Sequence, residues 1–196
     1  QTPLYDLYHT TLGSNMLSSS LSINLSEQPS CIVAFGYGSS AAAYSRSPIR
    51  VGMVNELVGL DENGRIRPEV QAAMASWKGI RILDLRPQLI PFAKTYLQKT
   101  TRPVYLADDE SKTIGQLEGF VRNEMAKRQS KSFVLKCKMQ GHTYKGIPWA
   151  INTMANVKDE YLNVHEPLWI REVTFTKSMA GTFTDLTLIR PYTLDL

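Results

Sequence analysis

The last third of the chain is written in period two. Between Glu172 and Thr176, Val173 and Phe175 are opposed to Thr174 and Thr176, and between Phe183 and Arg190, Leu186 and Leu188 are opposed to Asp185 and Thr187. Successive side chains on a strand point to opposite faces, so this alternation in a Thr-, Val- and Phe-rich run predicts half-buried strands. Ser178-Met179-Ala180-Gly181 lies between the two runs and suits a hairpin connection. Pro191 has no N–H for a ladder and ends the second strand. Ser132 to Gln140 repeats the pattern upstream, with Phe133, Leu135, Cys137 and Met139 opposite Val134, Lys136, Lys138 and Gln140.

The rest of the chain is mixed. Residues 1–19 are polar and poorly patterned, and read as an extended arm or linker. Met16 to Leu25 alternates weakly, Glu27 to Ser30 is a turn, and Cys31 to Tyr37 is a second apolar strand. Asn63-Gly64 marks a turn, and Pro68 sits at a first helical position. Val70, Ala73, Met74 and Trp77 then share one helical face before Gly79. Ile80 to Leu85 reads as a strand, and Leu89, Phe92, Ala93, Tyr96 and Leu97 as a helical stripe. Arg102 to Leu106 is a short strand. The strongest helix follows over 111–129, with Ile114, Leu117, Phe120, Val121 and Met125 at three- and four-residue steps. Thr113 and Gln116 have capping-box spacing, and Asp108, Asp109 and Glu110 place negative charge near its N-terminus.

In order, Gly141-His142, Gly146 with Trp149 and Asn152-Thr153, Val157 with Asp159-Glu160, Val173-Thr174-Phe175, and Gly181-Thr182 with Leu186-Thr187-Leu188 and Pro191 form a spaced series. This series resembles the C-terminal part of tailed-phage baseplate hub proteins of the Mu tail-protein and late-control type. Pro148 and Ile151 depart from that pattern, standing where the family usually has Leu and often has Pro. The resemblance extends more weakly to the strands near 20–38 and to the strand, acidic turn and helix that begin near Arg102. It implies a β-rich α+β fold: a C-terminal barrel-like domain with a packed helix, built from 20–38 and 101–196, and a helical insertion at 39–100. It also implies a trimeric hub that adapts a sixfold tail tube to a threefold central spike, among other baseplate proteins. Such a hub belongs to the virion and is assembled in the host cytoplasm. DNA passes its lumen without specific binding, and no cofactor is implied.

Composition narrows the alternatives. At 196 residues the chain can bury one good core or two small ones. Nothing resembles a signal peptide, and no apolar run reaches the roughly 20 residues of a membrane span. The net charge of +4 is mild, and no nucleic-acid motif accompanies it. Cys31 and Cys137 stand far apart and read as buried thiols, in keeping with a reducing compartment.

No catalytic, metal or cofactor residue emerges. Asp108, Asp109 and Glu110 are adjacent, whereas hard-metal ligands converge from different elements. His142 and His165 are isolated loop histidines, His9 has no context, and Ser residues fall in no G-x-S-x-G. Gly36-Tyr37-Gly38 lacks the rest of a phosphate loop. Trp149, Trp169, Phe175, Phe183 and Tyr192 are the candidates for core packing or an intersubunit surface. The competing functions are a small cell-wall hydrolase and a nucleic-acid-binding module.

Overall fold

The computed structural model describes residues 2–24, 28–38, 47–56, 58–85 and 101–191. Two compact units emerge, one formed by the chain up to Asn24 together with Ser130 onward, the other by Leu25–Gln129. The fold is β-rich α+β, as expected. No helix among the described residues is long and apolar enough to cross a membrane.

The first unit is a curled half-barrel sheet. Its strands are β1 (Tyr5–Thr10), β2 (Gly13–Ser14), β3 (Met16–Ile23), β8 (Phe133–Gln140), β11 (Thr153–Asp159), β12 (Val164–Ser178) and β13 (Gly181–Ile189). Their order across the sheet is β2-β1-β11-β12-β13-β8-β3. The alternating runs at Ser132–Gln140, Glu172–Thr176 and Phe183–Arg190 fall on β8, β12 and β13. Alternation decides which face is buried: Phe133, Leu135, Cys137 and Met139 enter the core from β8, and Leu186 and Leu188 from β13. On β12 Leu168 and Ile170 point inward, and Val173 packs against the same core. The parity changes because a bulge between Ile170 and Glu172 leaves Arg171 opposite no residue of β13. Between β8 and β11 lies a small hairpin, β9 (Thr143–Tyr144) with β10 (Ile147–Pro148). Its two loop residues, Lys145 (φ 50) and Gly146 (φ 83), have the left-handed backbone of a type I′ turn.

Residues 1–19 are not an arm. β1 is an internal strand that runs parallel to β11, with Tyr5 opposite Ala155 and Leu7 opposite Val157. Tyr5 and Leu7 are each 1% exposed, so burial of an apolar pair fixes the segment.

Among the described residues the second unit is a four-stranded sheet between two helices. Its strand order is β6 (Arg81–Ile82), β5 (Ser47–Val54), β4 (Cys31–Gly38) and β7 (Pro103–Ala107). Ile32 and Ala34 of β4 pack with Leu117, Val121 and Met125 of α2 (Ile114–Ser132). Cys31 and Val33 pack on the other face with Val70 and Met74 of α1 (Pro68–Ala75). The capping box forms as the sequence predicts: the Thr113 N–H donates to Gln116 Oε1 at 3.2 Å, and the Gln116 N–H donates to Thr113 Oγ1 at 3.2 Å.

This arrangement corrects the expected domain division. β3 and β4 are not a pair in one body, because β3 pairs with β8 while β4 pairs with β5 and β7. β4 is apolar on consecutive residues because both of its faces are covered by helices. The segment 39–100 supplies β5, an inner strand of that sheet, and so is more than an appended insertion. The helix expected over 111–129 packs on this sheet and runs on to Ser132. The helical stripe expected at Leu89–Leu97 lies outside the described residues.

Candidate functional site at the seam and hairpin of the half-barrel

Three residues from distant parts of the chain meet where β1 and β3 approach each other. The Ser19 hydroxyl donates to Asp159 Oδ2 at 2.5 Å. His9 Nδ1 lies 3.1 Å from Ser19 Oγ and 3.4 Å from Asp159 Oδ2. Asp159 is fully buried, and its Oδ1 also accepts the N–H groups of Tyr161 at 3.0 Å and Leu162 at 2.9 Å. Burial favours the protonated carboxyl, but the bonds from Ser19, Leu162 and His9 outweigh it and hold Asp159 below the usual carboxylate range.

Serine, histidine and aspartate in contact invite comparison with a nucleophilic triad. The wiring differs. In a triad the imidazole stands between the two oxygens and uses one nitrogen for each. Here the Ser19 hydroxyl donates its hydrogen bond directly to the carboxylate, so the histidine nitrogen facing the pair must itself be a donor. A nitrogen that carries a proton cannot deprotonate the serine. The cluster is a stitch between strands. Sequence reasoning left His9 without context, and positions 9, 19 and 159 carry no spacing that would have linked them.

The two edges of the sheet are finished differently. Asn15 closes the outer edge of β1: its Oδ1 accepts the Tyr8 N–H at 2.8 Å, its Nδ2 donates to the Asp6 carbonyl at 2.8 Å, and its own N–H donates to the Tyr8 carbonyl at 3.0 Å. Glu160 clamps the adjacent turn by accepting the Thr11 N–H at 2.9 Å and the Thr11 hydroxyl at 3.1 Å. β3 pairs only with β8 among the described residues.

The four described aromatic candidates do not converge on one patch. Trp149 is a core residue, 4% exposed, with its ring 4.7 Å from Tyr5 and 5.8 Å from Tyr144. Trp169 is half-buried on the face of β12 opposite Leu168 and Ile170, with Met154 and Ile189 as its register partners. The indole N–H groups of Trp149 and Trp169 are both buried without a hydrogen-bond partner among the described residues. Phe175 is 50% exposed and meets His142 edge-on at 5.0 Å. Phe183 is half-buried, with Lys138 Nζ 4.9 Å from its ring centre. Tyr192 lies outside the described residues. The tip of the β12–β13 hairpin is exposed along Thr174–Ser178 of β12, and Met179 at its loop is fully exposed.

The remaining polar candidates have local partners. Asp108 accepts the Ser111 hydroxyl and, at 3.1 Å, the Glu110 N–H. That turn precedes α2 and leaves no acid in its first turn, so the acidic run builds the turn and does not face the helix dipole directly. Gly36 is needed because the turn packs on it: a Cβ there would lie 2.8 Å from the Asp108 carbonyl oxygen. Among the described residues no three of His, Cys, Asp and Glu are grouped to hold a metal ion. Cys31 and Cys137 are free and buried, one in each unit.

No family model matches this sequence, and no curated protein matches it. The fold, however, has solved counterparts among tail proteins. The chain is similar to the 43 kDa tail protein of prophage MuSo2 from Shewanella oneidensis, with a TM-score of 0.65 at 17% identity, over 97% of this chain and 44% of that one. It is similar to the tail protein from Neisseria meningitidis MC58, with a TM-score of 0.63 at 13% identity, over 97% of this chain and 45% of that one. At these identities the likeness establishes a shared fold that includes both units. The chain spans less than half the length of either tail protein.

Proposed function

We propose that this chain is a structural component of a phage tail and that its role is assembly, not catalysis. The observation that carries the reading is the fold match over 97% of the chain to the MuSo2 tail protein. The seam supports it, since its polar groups are spent on joining strands. The finer reading is a trimeric hub at the tail tip, between a sixfold tube and a threefold spike, in the virion. A ring of this kind needs head-to-tail contacts that close around an axis. Of the aromatic candidates, Phe175 suits such a contact best, because it is large, apolar and half exposed near the tip of the β12–β13 hairpin. DNA would pass the ring without sequence-specific contact.

Light scattering at low and high salt tests the hub. A salt-resistant particle of three times the 22.1 kDa chain mass is the expected result. A monomer at every concentration overturns the trimer. The hydrolase alternative predicts clearing of peptidoglycan that is lost in Asp109→Ala or Glu110→Ala. The nucleic-acid alternative predicts affinity that falls steeply with salt.

A further inference from the structure

We propose that the outer edge of β3 is a strand-addition site for an extended segment of another polypeptide whose side chains alternate apolar and acidic. The inference does not depend on the tail reading. It starts from where the backbone groups of β3 point. Asn24 donates its N–H to the Ser132 carbonyl at 2.9 Å, in continuation of the β3–β8 register. Hydrogen-bonded positions alternate along an antiparallel strand, so Ser22 and Ser20 also face β8, while Leu21 and Ile23 direct their N–H and C=O groups to the open side. No strand pairs with that side among the described residues.

A bare edge is a liability that proteins ordinarily blunt with lysine, proline or a covering side chain. The opposite edge of this sheet has such a cover in Asn15. β3 has none. Its sequence, MLSSSLSI, holds no charge and no proline, and Ile23 is 54% exposed. The neighbouring surface selects the side chains of the occupant. Ser20 stands opposite Lys136 and Ser18 opposite Lys138, so the outer face beside the edge is serine and lysine. Lys136 is exposed and takes part in no ion pair among the described residues. Leu21 lies on the alternate face and packs against the core. An added strand would set apolar residues beside Leu21 and Ile23 and acidic residues toward Lys136. Backbone pairing supplies affinity in this mode and the alternating side chains supply specificity.

The test uses the whole chain and a blocked synthetic heptapeptide, Thr-Val-Glu-Val-Glu-Val-Thr, titrated by fluorescence anisotropy. Saturable binding is expected, weakened about tenfold or more when alternate peptide nitrogens are methylated or when both Glu are replaced by Lys. Ile23→Pro removes one outward N–H and should abolish binding, since proline is accommodated on an edge whose N–H faces solvent. Lys136→Glu reverses one surface charge and should reverse the preference between the Glu and Lys peptides, which decides the matter if Ile23→Pro does not fold. Equal binding of the methylated peptide, an unchanged preference in Lys136→Glu, or no saturable binding at all overturns the proposal.

Discussion

Asp159 is a fully buried carboxylate that survives because donors surround it. Its carboxyl titrates below its usual range in the folded chain, so it contributes stability at neutral pH that is lost as pH falls through the depressed native value. Replacing it by Asn leaves donors facing an amide. Asp159→Asn should cost about 1–3 kcal/mol at pH 7, the penalty for leaving buried groups unsatisfied. The variant should also lose less further stability than the native chain between pH 7 and pH 3, as read by urea denaturation at both values. The aromatic candidates separate at this scale too. Trp149→Ala empties a packed core and should cost about 3–5 kcal/mol. Phe175→Ala, on an exposed hairpin, should change stability by no more than about 0.5 kcal/mol, with its effect appearing in assembly. Equal costs in a urea titration would contradict their different burial. Composition and order could name these residues as aromatic, but could not separate the core tryptophan from the exposed phenylalanine. That distinction depends on β1, whose Tyr5 covers Trp149.

Among the elements, those held by local pattern were readable and those held by distant partners were not. β8, β12, β13 and α2 announce themselves because alternation, turn residues and a capping box sit within a few positions of each other. β1 is not legible in the sequence because Tyr5 and Leu7 are a short signal and their parallel partners lie in β11. β4 was visible as a strand, but its unbroken apolar run was the sign of two covered faces and therefore of a separate layered sheet. The bulge in β12 makes a prediction about length. Arg171 is the supernumerary residue, so deleting it should leave Val173 inward and the hairpin register intact, at a cost of at most about 3 kcal/mol, the span of ordinary point changes. Deleting Thr174 turns Phe175 to the other face and should be more damaging. Amide hydrogen exchange across Glu172–Thr187 distinguishes the two, and equal protection in both variants would contradict the assigned bulge.

At the scale of the whole molecule, the β-rich α+β class could be read from the sequence, whereas the division into two units could not. The missing information was the pairing of β4, which belongs with Leu25–Gln129 to a body of its own. One consequence concerns the thiols. Burial pushes Cys31 up to about 11, with Ser30 working weakly against it, and pushes Cys137 up to about 12, helped by the negative charge of Asp159 and Asp185. Neither should react with a disulfide reagent at pH 8 until its surroundings open, and both should react in full denaturant. Rapid labelling of either in the native chain would contradict its burial. Because each unit holds one of the two, the chain carries its own pair of gauges. Peptide mapping of the labelled cysteines along a urea series would time the opening of each half without any introduced probe.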